Sequence, residues 1–198
     1  MPSIILASES TTRITLLENA GVSFTSQGAA VDEETVKAPL LVSGMPPDDI
    51  ATVLAEAKAL AVSERHPDAL VIGADQTLAF RDACLSKPET MQDARRLLLD
   101  LSGQSHSLHA AVACARNGET LWRFLSTAHL KMRAFSPEFV GRYLADVGEA
   151  ALTSVGAYQL EGCGVQLFEE IDGDFFTILG LPMLPLLDFL RAEGAIDK

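Results

Sequence analysis

The 198-residue chain has no run of 18 apolar residues, so none of it is long and apolar enough to cross a bilayer as a helix. Its start, MPSIILASESTTR, has no basic leader and an apolar run of only four residues, so no signal peptide is expected. Cysteine is scarce. Cys84, Cys114 and Cys163 are odd in number, far apart and without a CxxC pair. That argues against a zinc site or a disulfide framework and for a cytoplasmic location. Cations are scarce too: 15 Lys and Arg stand against 27 Asp and Glu, a formal net charge of −12. Such a surface repels a DNA or RNA backbone, so no nucleic acid is expected as a partner, and without an apolar span no membrane is expected either. A small phosphate-bearing substrate is compatible with that charge if a metal ion and a few local cations offset it.

Several chemistries lack their motifs as well. No GxSxG elbow is present, and no GxxxxGK[ST] phosphate loop. In Gly162-Cys163-Gly164-Val165-Gln166-Leu167 a leucine stands where a dinucleotide fingerprint has its third glycine. His106 and His109 are three apart on an expected strand, so they face opposite sides and cannot share a metal. Each is expected to be a satisfied structural histidine.

What is present centres on Ala69–Leu78, ALVIGADQTL. Leu70, Val71 and Ile72 suit a strand buried on both faces. Gly73 and Ala74 thin the chain so that something can approach the backbone. Asp75 and Gln76 follow, at the carboxyl end of the apolar run, where open α/β sheets place their ligands. The bland alternative is that Asp75 opens a turn.

Around this stretch, 48% hydrophobic content provides for a core, in one domain or two closely joined lobes. Ser3–Ala7 reads as a first strand. It runs into Ser8, Glu9, Ser10, Thr11, Thr12 and Arg13 and then a helix closed by Gly21. A helix start rich in hydroxyls favours an anion, although plain capping by Ser10 explains it equally. Val22–Ala30 reads as a strand with Phe24 inward. Asp32-Glu33-Glu34 reads as a solvated acidic loop or as a source of hard oxygen ligands for Mg²⁺. A helix is expected over about 49–65, with Ile50, Val53, Leu54, Ala57, Leu60 and Ala61 buried. Its Lys58 is the only cation between residues 38 and 64 and a candidate to meet phosphate. A turn at Arg81-Asp82-Ala83 leads to Lys87, extended before Pro88. Thr90 caps a helix over Met91–Leu101. His106–Ala115 and Glu119–Lys131 form a hairpin across Asn117-Gly118, and Ser136-Pro137 starts a helix to about Val147. Gly156–Gly164, with Glu161 inside it, reads as a loop shaped around a ligand. Val165–Ile171 is expected as a strand, turning at 172–174 into Phe175–Leu179, and a last helix spans about Leu184–Arg191.

Carboxylates and cations on separate elements are what phosphoanhydride hydrolysis needs. The sequence resembles the Maf family of nucleoside triphosphate pyrophosphatases over nearly its whole length. The marks are ILAS-x-S near the start, Val31-Asp32-Glu33, Leu54-Ala55-x-x-Lys58-Ala59, Ile72-Gly73-Ala74-Asp75-Gln76 and Lys87-Pro88. They continue with Leu101-Ser102-Gly103-x-x-His106, Gly156-Ala157-Tyr158, Glu161-Gly162 and Gly180-Leu181-Pro182. The resemblance implies an α/β fold with an elongated mixed sheet flanked by helices. It implies two lobes with a central cleft, similar to inosine-triphosphate pyrophosphatases, with residues 1–198 as one functional unit. It implies hydrolysis of a nucleoside triphosphate to the monophosphate and pyrophosphate, a divalent cofactor (Mg²⁺ or Mn²⁺) and a homodimer. It places catalysis on Asp75, Lys58 and Lys87, substrate contacts on Ser8, Ser10, Arg13, Gln76 and Glu161, and metal ligands on Glu33 and Asp75. Arg13, Lys58 and Lys87 are expected as surface cations lying against the triphosphate. Asp75-Gln76 with Glu161 resembles the group acting on 7-methyl-GTP more than the dTTP/UTP group. The alternative is a nucleotide-binding regulatory protein of septum formation with little catalysis. Thr12, in place of the usual first arginine, favours it, and the intact Glu33, Lys58, Asp75 and Lys87 argue against it; the other departures from the usual pattern are Thr11 for proline, Ser86 for a glycine and Ala110 for a threonine.

Overall fold

The computed structural model describes residues 2–81 and 83–197. Asp82, in the turn expected at 81–83, lies outside the described residues. In chain order the elements are β1 (Ile4–Leu6), α1 (Thr11–Asn19), β2 (Thr25–Ser26), α2 (Glu33–Val42), α3 (Pro47–Ser63), β3 (Leu70–Phe80), β4 (Ala83–Leu85) and α4 (Met91–Leu101). Then follow β5 (Ser105–Arg116), β6 (Glu119–Met132), α5 (Pro137–Val147), 3₁₀ segments Gly148–Thr153 and Cys163–Leu167, β7 (Phe168–Asp172), α6 (Phe175–Ile178) and α7 (Met183–Ala192). The strands form one mixed sheet in the order β2-β1-β3-β5-β6-β7, with β4 also on β3. The architecture is α/β, as expected.

The chain divides into two compact units. The first comprises residues 2–76, 109–126 and 175–197. Here β1 pairs in parallel with β3, Ile4 opposite Leu70 and Leu6 opposite Ile72. Side chains alternate between the two faces of a strand, so residue parity decides which helices each one meets. Ile4, Leu6, Leu70, Ile72 and Ala74 share a core cluster with Leu17 of α1 and Leu186 and Leu190 of α7. Ile5, Ala7 and Val71 face the other way, with Val62 of α3. On that face Ala51, Ala55 and Ala59 of α3 lie against Ala111, Ala113 and Ala115 of β5. Alanine on both surfaces lets helix and sheet approach closely.

Gly73 belongs to this close approach. A Cβ there would fall 2.2 Å from the Ala55 carbonyl oxygen and 2.6 Å from the Ala59 nitrogen, both backbone atoms of α3. What approaches the thinned backbone is therefore a helix, not a ligand. The buried stripe of α3 is rotated from the expected one: Ile50, Ala51, Leu54, Ala55, Lys58, Ala59, Val62 and Ser63 are buried. Val53, Ala57, Leu60 and Ala61 are half-buried. The expected stripe followed the bulky residues, but close packing selects the small ones, and it carries Lys58 inward with them.

The second unit comprises residues 77–108 and 127–174. The end of β3 pairs antiparallel with β4, Leu78 opposite Leu85, and the end of β6 with β7, His129 opposite Asp172. His106 is buried, its Nε2 2.8 Å from the Tyr158 hydroxyl, and Tyr158 stands edge-on to Phe168. Its Nδ1 has no partner among the described residues. Burial pushes the imidazole pKa down to about 4, so it is neutral at neutral pH.

Three further expectations change. The Val22–Ala30 strand shrinks to two residues, Thr25 and Ser26, paired with Ile5 and Leu6; Phe24 does pack against the core. The acidic loop is a helix start: Asp32 caps α2, its Oδ1 accepting from the Thr35 N–H at 3.3 Å. The Val165–Ile171 strand begins only at Phe168, after a 3₁₀ turn, and Phe175–Ile178 is a short helix. The helix over Met91–Leu101 and the hairpin at Asn117-Gly118 are as expected. Both turn residues have positive φ, 52° and 74°, the geometry that makes Asn-Gly a hairpin signal.

Substituting Gly73 with alanine should cost at least ~2 kcal/mol, because the methyl meets backbone that cannot move aside. Urea denaturation measures this. A Gly73→Ala protein of wild-type stability would contradict the close helix contact.

Candidate active site

Parity along β3 sorts the chemistry. Asp75 follows Val71 and Gly73 on the face of α3, where Lys58 is carried in by the alanine stripe. Lys58 Nζ donates to Asp75 Oδ1 at 2.6 Å and lies 2.8 Å from Glu33 Oε1. The side chains of Lys58 and Asp75 are each only 9% exposed, while that of Glu33, in the first turn of α2, is 54% exposed. One ammonium thus holds two carboxylates from two other elements. A buried charge needs such compensation, and removing one partner of a buried pair typically costs about 3–5 kcal/mol.

Asp75 does not sit at the end of a strand, because β3 continues to Phe80. What ends there is the pairing along one edge. β1 accompanies β3 as far as Ile72, and β4 joins it only from Leu78. Along the chain Asp75 lies between the stretch of β3 that pairs with β1 and the stretch that pairs with β4. The ladder of bonds along this edge runs on without a strand: the Ala7 N–H donates to the Ile72 carbonyl at 2.7 Å, and Arg13 Nη1 donates to the Ala74 carbonyl at 3.0 Å.

Arg13 stands in the first turn of α1, where Ser10 caps the helix by accepting from the Arg13 N–H at 3.4 Å. Its Nε donates to the Gly180 carbonyl at 2.8 Å, and its Nη1 also reaches Ser8 Oγ at 3.5 Å. Gly180 has φ of 88°, a left-handed conformation that suits glycine. Gln76, on the opposite face from Asp75, donates through Nε2 to the carbonyls of Thr177 and Ile178, each at 3.0 Å. Arg13 and Gln76 together tie the segment after β7 to the residues flanking Asp75. Burial pushes the Arg13 guanidinium below its ordinary pKa, and the charges of Asp75 and then Glu33 act against that shift. It remains a cation at physiological pH.

The first unit therefore brings together Ser8, Ser10, Arg13, Glu33, Lys58, Asp75 and Gln76. Lys87 and Glu161 are exposed residues of the second unit. Arg13 and Lys58 are not surface cations, since Arg13 is half-buried and Lys58 buried, so changing them affects stability as well as chemistry. The sequence did not disclose the carbonyl contacts of Arg13 and Gln76. Their acceptors at Ala74, Thr177, Ile178 and Gly180 are backbone carbonyls far along the chain, which no residue type or spacing marks.

Among the described residues no group of three or more His, Cys, Asp or Glu is placed to hold a metal ion. Two carboxylates do converge, on the point held by Lys58 Nζ. A pair of hard oxygen ligands, completed by phosphate and water, is how Mg²⁺ is usually bound. The donor set fits such an ion.

A sequence model of the family described as Maf-like protein matches residues 3–193. A protein of Brucella abortus named 7-methyl-GTP pyrophosphatase is 55% identical, over 98% of each chain. One of Caulobacter vibrioides named nucleoside triphosphate pyrophosphatase is 50% identical, over 98% of this chain and 96% of its own. A solved HAM1 protein from Coxiella burnetii is 16% identical, covers 67% of this chain and 73% of its own, and superposes with a TM-score of 0.40.

Arg13→Lys keeps the charge but loses the planar fork that spans the Ala74 and Gly180 carbonyls. It should lower stability by about 1–3 kcal/mol, the cost of stranding a buried acceptor, and turnover by at least ~10-fold through misplacement of Asp75. Wild-type turnover and melting in Arg13→Lys would reduce the role of this residue to charge alone.

Proposed function

The chain belongs to the Maf-like protein family, and we propose that it is a nucleoside triphosphate pyrophosphatase that cleaves between the α- and β-phosphates. The observation that carries this reading is the buried Lys58 ammonium, 2.6 Å from Asp75 and 2.8 Å from Glu33. It supports a site in which a carboxylate, a cation and a second carboxylate meet.

In the proposed mechanism Asp75 orients a water toward the α-phosphorus and takes its proton. A general base must lie within hydrogen-bond reach of that water, about 2.6–3.2 Å, and a rigid strand buried on both sides supports such placement. Lys58 and Lys87 offset the charge of the triphosphate. Arg13 holds the backbone before Asp75, and Gln76 holds the backbone of α6. Glu33 and Asp75 would hold a divalent cation, Mg²⁺ or Mn²⁺. When bound, that ion supplies Lewis-acid stabilisation of the pyrophosphate leaving group. Ser8 and Ser10, beside the start of α1, are proposed phosphate contacts, as helix starts favour anions.

For the base we propose a 7-methylated guanine, with Glu161 accepting from the ring N1–H and the amino group. The names of the relatives support this. A uracil or thymine edge offers no such pair of donors. A cytoplasmic homodimer completes the proposal. Light scattering at twice the 21.2 kDa chain mass is the expected result, and a monomer at working concentration contradicts it.

Turnover of a nucleotide panel that includes 7-methyl-GTP tests the reading. Release of pyrophosphate with the monophosphate is expected; orthophosphate with the diphosphate sinks it. Chelation by EDTA should stop the reaction and Mn²⁺ restore it. Asp75→Asn should lower the rate at least ~100-fold while nucleotide binding persists. The variant should be less stable, by up to about 3–5 kcal/mol, the cost of a broken buried pair, lessened because Glu33 still meets the Lys58 ammonium. Turnover within a few-fold of wild type would remove Asp75 from the base role.

A further inference from the structure

Lys58 Nζ occupies the point on which the two carboxylates proposed to hold the metal converge, at 2.6 Å from Asp75 Oδ1 and 2.8 Å from Glu33 Oε1. A Mg²⁺ bound by these oxygens would sit at about 2.0–2.1 Å from each, in the space the ammonium fills. Each carboxylate meets the ammonium through one oxygen, so an ion that took those same two oxygens would have to displace it. We infer that Lys58 is a built-in placeholder cation: it excludes a bare divalent ion from the free protein and yields the carboxylates only when a triphosphate offers its ammonium another anion. This rests on the proposed metal-assisted pyrophosphatase reading.

Three observations carry the inference. The first is burial. The Lys58 and Asp75 side chains are each 9% exposed, so water replaces little of the pair interaction, and a bare aqueous ion must displace a desolvated ammonium. The second is position. Lys58 stands in the close-packed stripe of α3 with Ala55 and Ala59 against the sheet, so its Cα is fixed and only its four-carbon stem can swing. The third is asymmetry. Glu33 is 54% exposed and Asp75 is 9% exposed. Glu33 is therefore the carboxylate that an arriving ion meets first, with Lys58 between it and Asp75. A ligand's apparent affinity is reduced by the fraction of protein in the competent state, and here that is the fraction with Lys58 swung away. Metal arriving with the triphosphate removes that penalty, because the phosphates take up the ammonium in the same step. Metal and nucleotide then bind cooperatively, without any domain motion being required.

The probe is Mn²⁺, followed by electron paramagnetic resonance and calorimetry, alone and with the non-hydrolysable α,β-methylene analogue of GTP. Wild type should bind bare Mn²⁺ weakly and gain at least ~10-fold in protein-held Mn²⁺ with the analogue, after the Mn²⁺–analogue complex measured without protein is subtracted. Lys58→Met, which keeps the stem and removes the charge, should bind bare Mn²⁺ at least ~10-fold more tightly than wild type. Its gain from the analogue should shrink. Lys58→Arg should still exclude the bare ion. Equal or weaker bare-ion affinity in Lys58→Met overturns the inference. Should that variant not fold, wild type decides: bare-ion affinity that the analogue does not change overturns it as well. Wild type that releases pyrophosphate but shows no cooperativity refutes the placeholder role alone. Wild type that neither binds Mn²⁺ with the analogue nor releases pyrophosphate refutes the function with it.

Discussion

The contact on which the site depends is the buried ion pair between Lys58 and Asp75, shared outward with Glu33. Each offsets the burial of the other, because an uncompensated charge at that depth costs several kcal/mol, and Glu33 keeps part of that compensation for Lys58. Much of the surrounding structure serves to bring them together. Gly73 and the alanines of α3 and β5 let a helix lie close on the sheet. That closeness turns Lys58 inward at the level of Asp75. The alternation of β3 then points Asp75 toward α3 and leaves Gln76 on the far side.

The far side holds the same stretch in place by different means. Arg13 takes the Ala74 carbonyl where β1 has ended, and Gln76 and Arg13 together take the carbonyls of residues 177, 178 and 180. Residues from the start of the chain and from its last third thus clamp the two neighbours of Asp75. Catalytic groups held by such a shell tend to lose activity when the shell is disturbed, even where they keep their own contacts.

Much of this was legible in the sequence as residue types and little of it as geometry. The acid after a buried apolar run, the lone lysine of a long helix and the hydroxyls before Arg13 are local signals, and all three mark members of the cluster. Which way Lys58 faces was not local. Bulky residues suggest one stripe for α3, and alanines buried against alanines select another. The helix α2 was hidden because Pro39 interrupts its pattern and its acidic start reads as loop; Asp32 capping Thr35 is what makes it a helix end. The four-residue α6 is too short for periodicity to register. The strand end at Asp75 was misread because the apolar run stops where one edge partner leaves, while the backbone stays extended to meet β4.

The central claim is that Lys58 and Asp75 act as one unit in turnover, and a double-mutant cycle tests it most directly. Pyrophosphate release would be measured for wild type, Lys58→Met, Asp75→Asn and the double variant, each checked for folding by its melting transition. Groups that act as a unit are strongly non-additive: losing either costs about as much as losing both. The account predicts a double variant with kcat/KM within a few-fold of the worse single variant. Losses that multiply, so that the double variant falls by the product of the two single effects, would show two independent groups and contradict it.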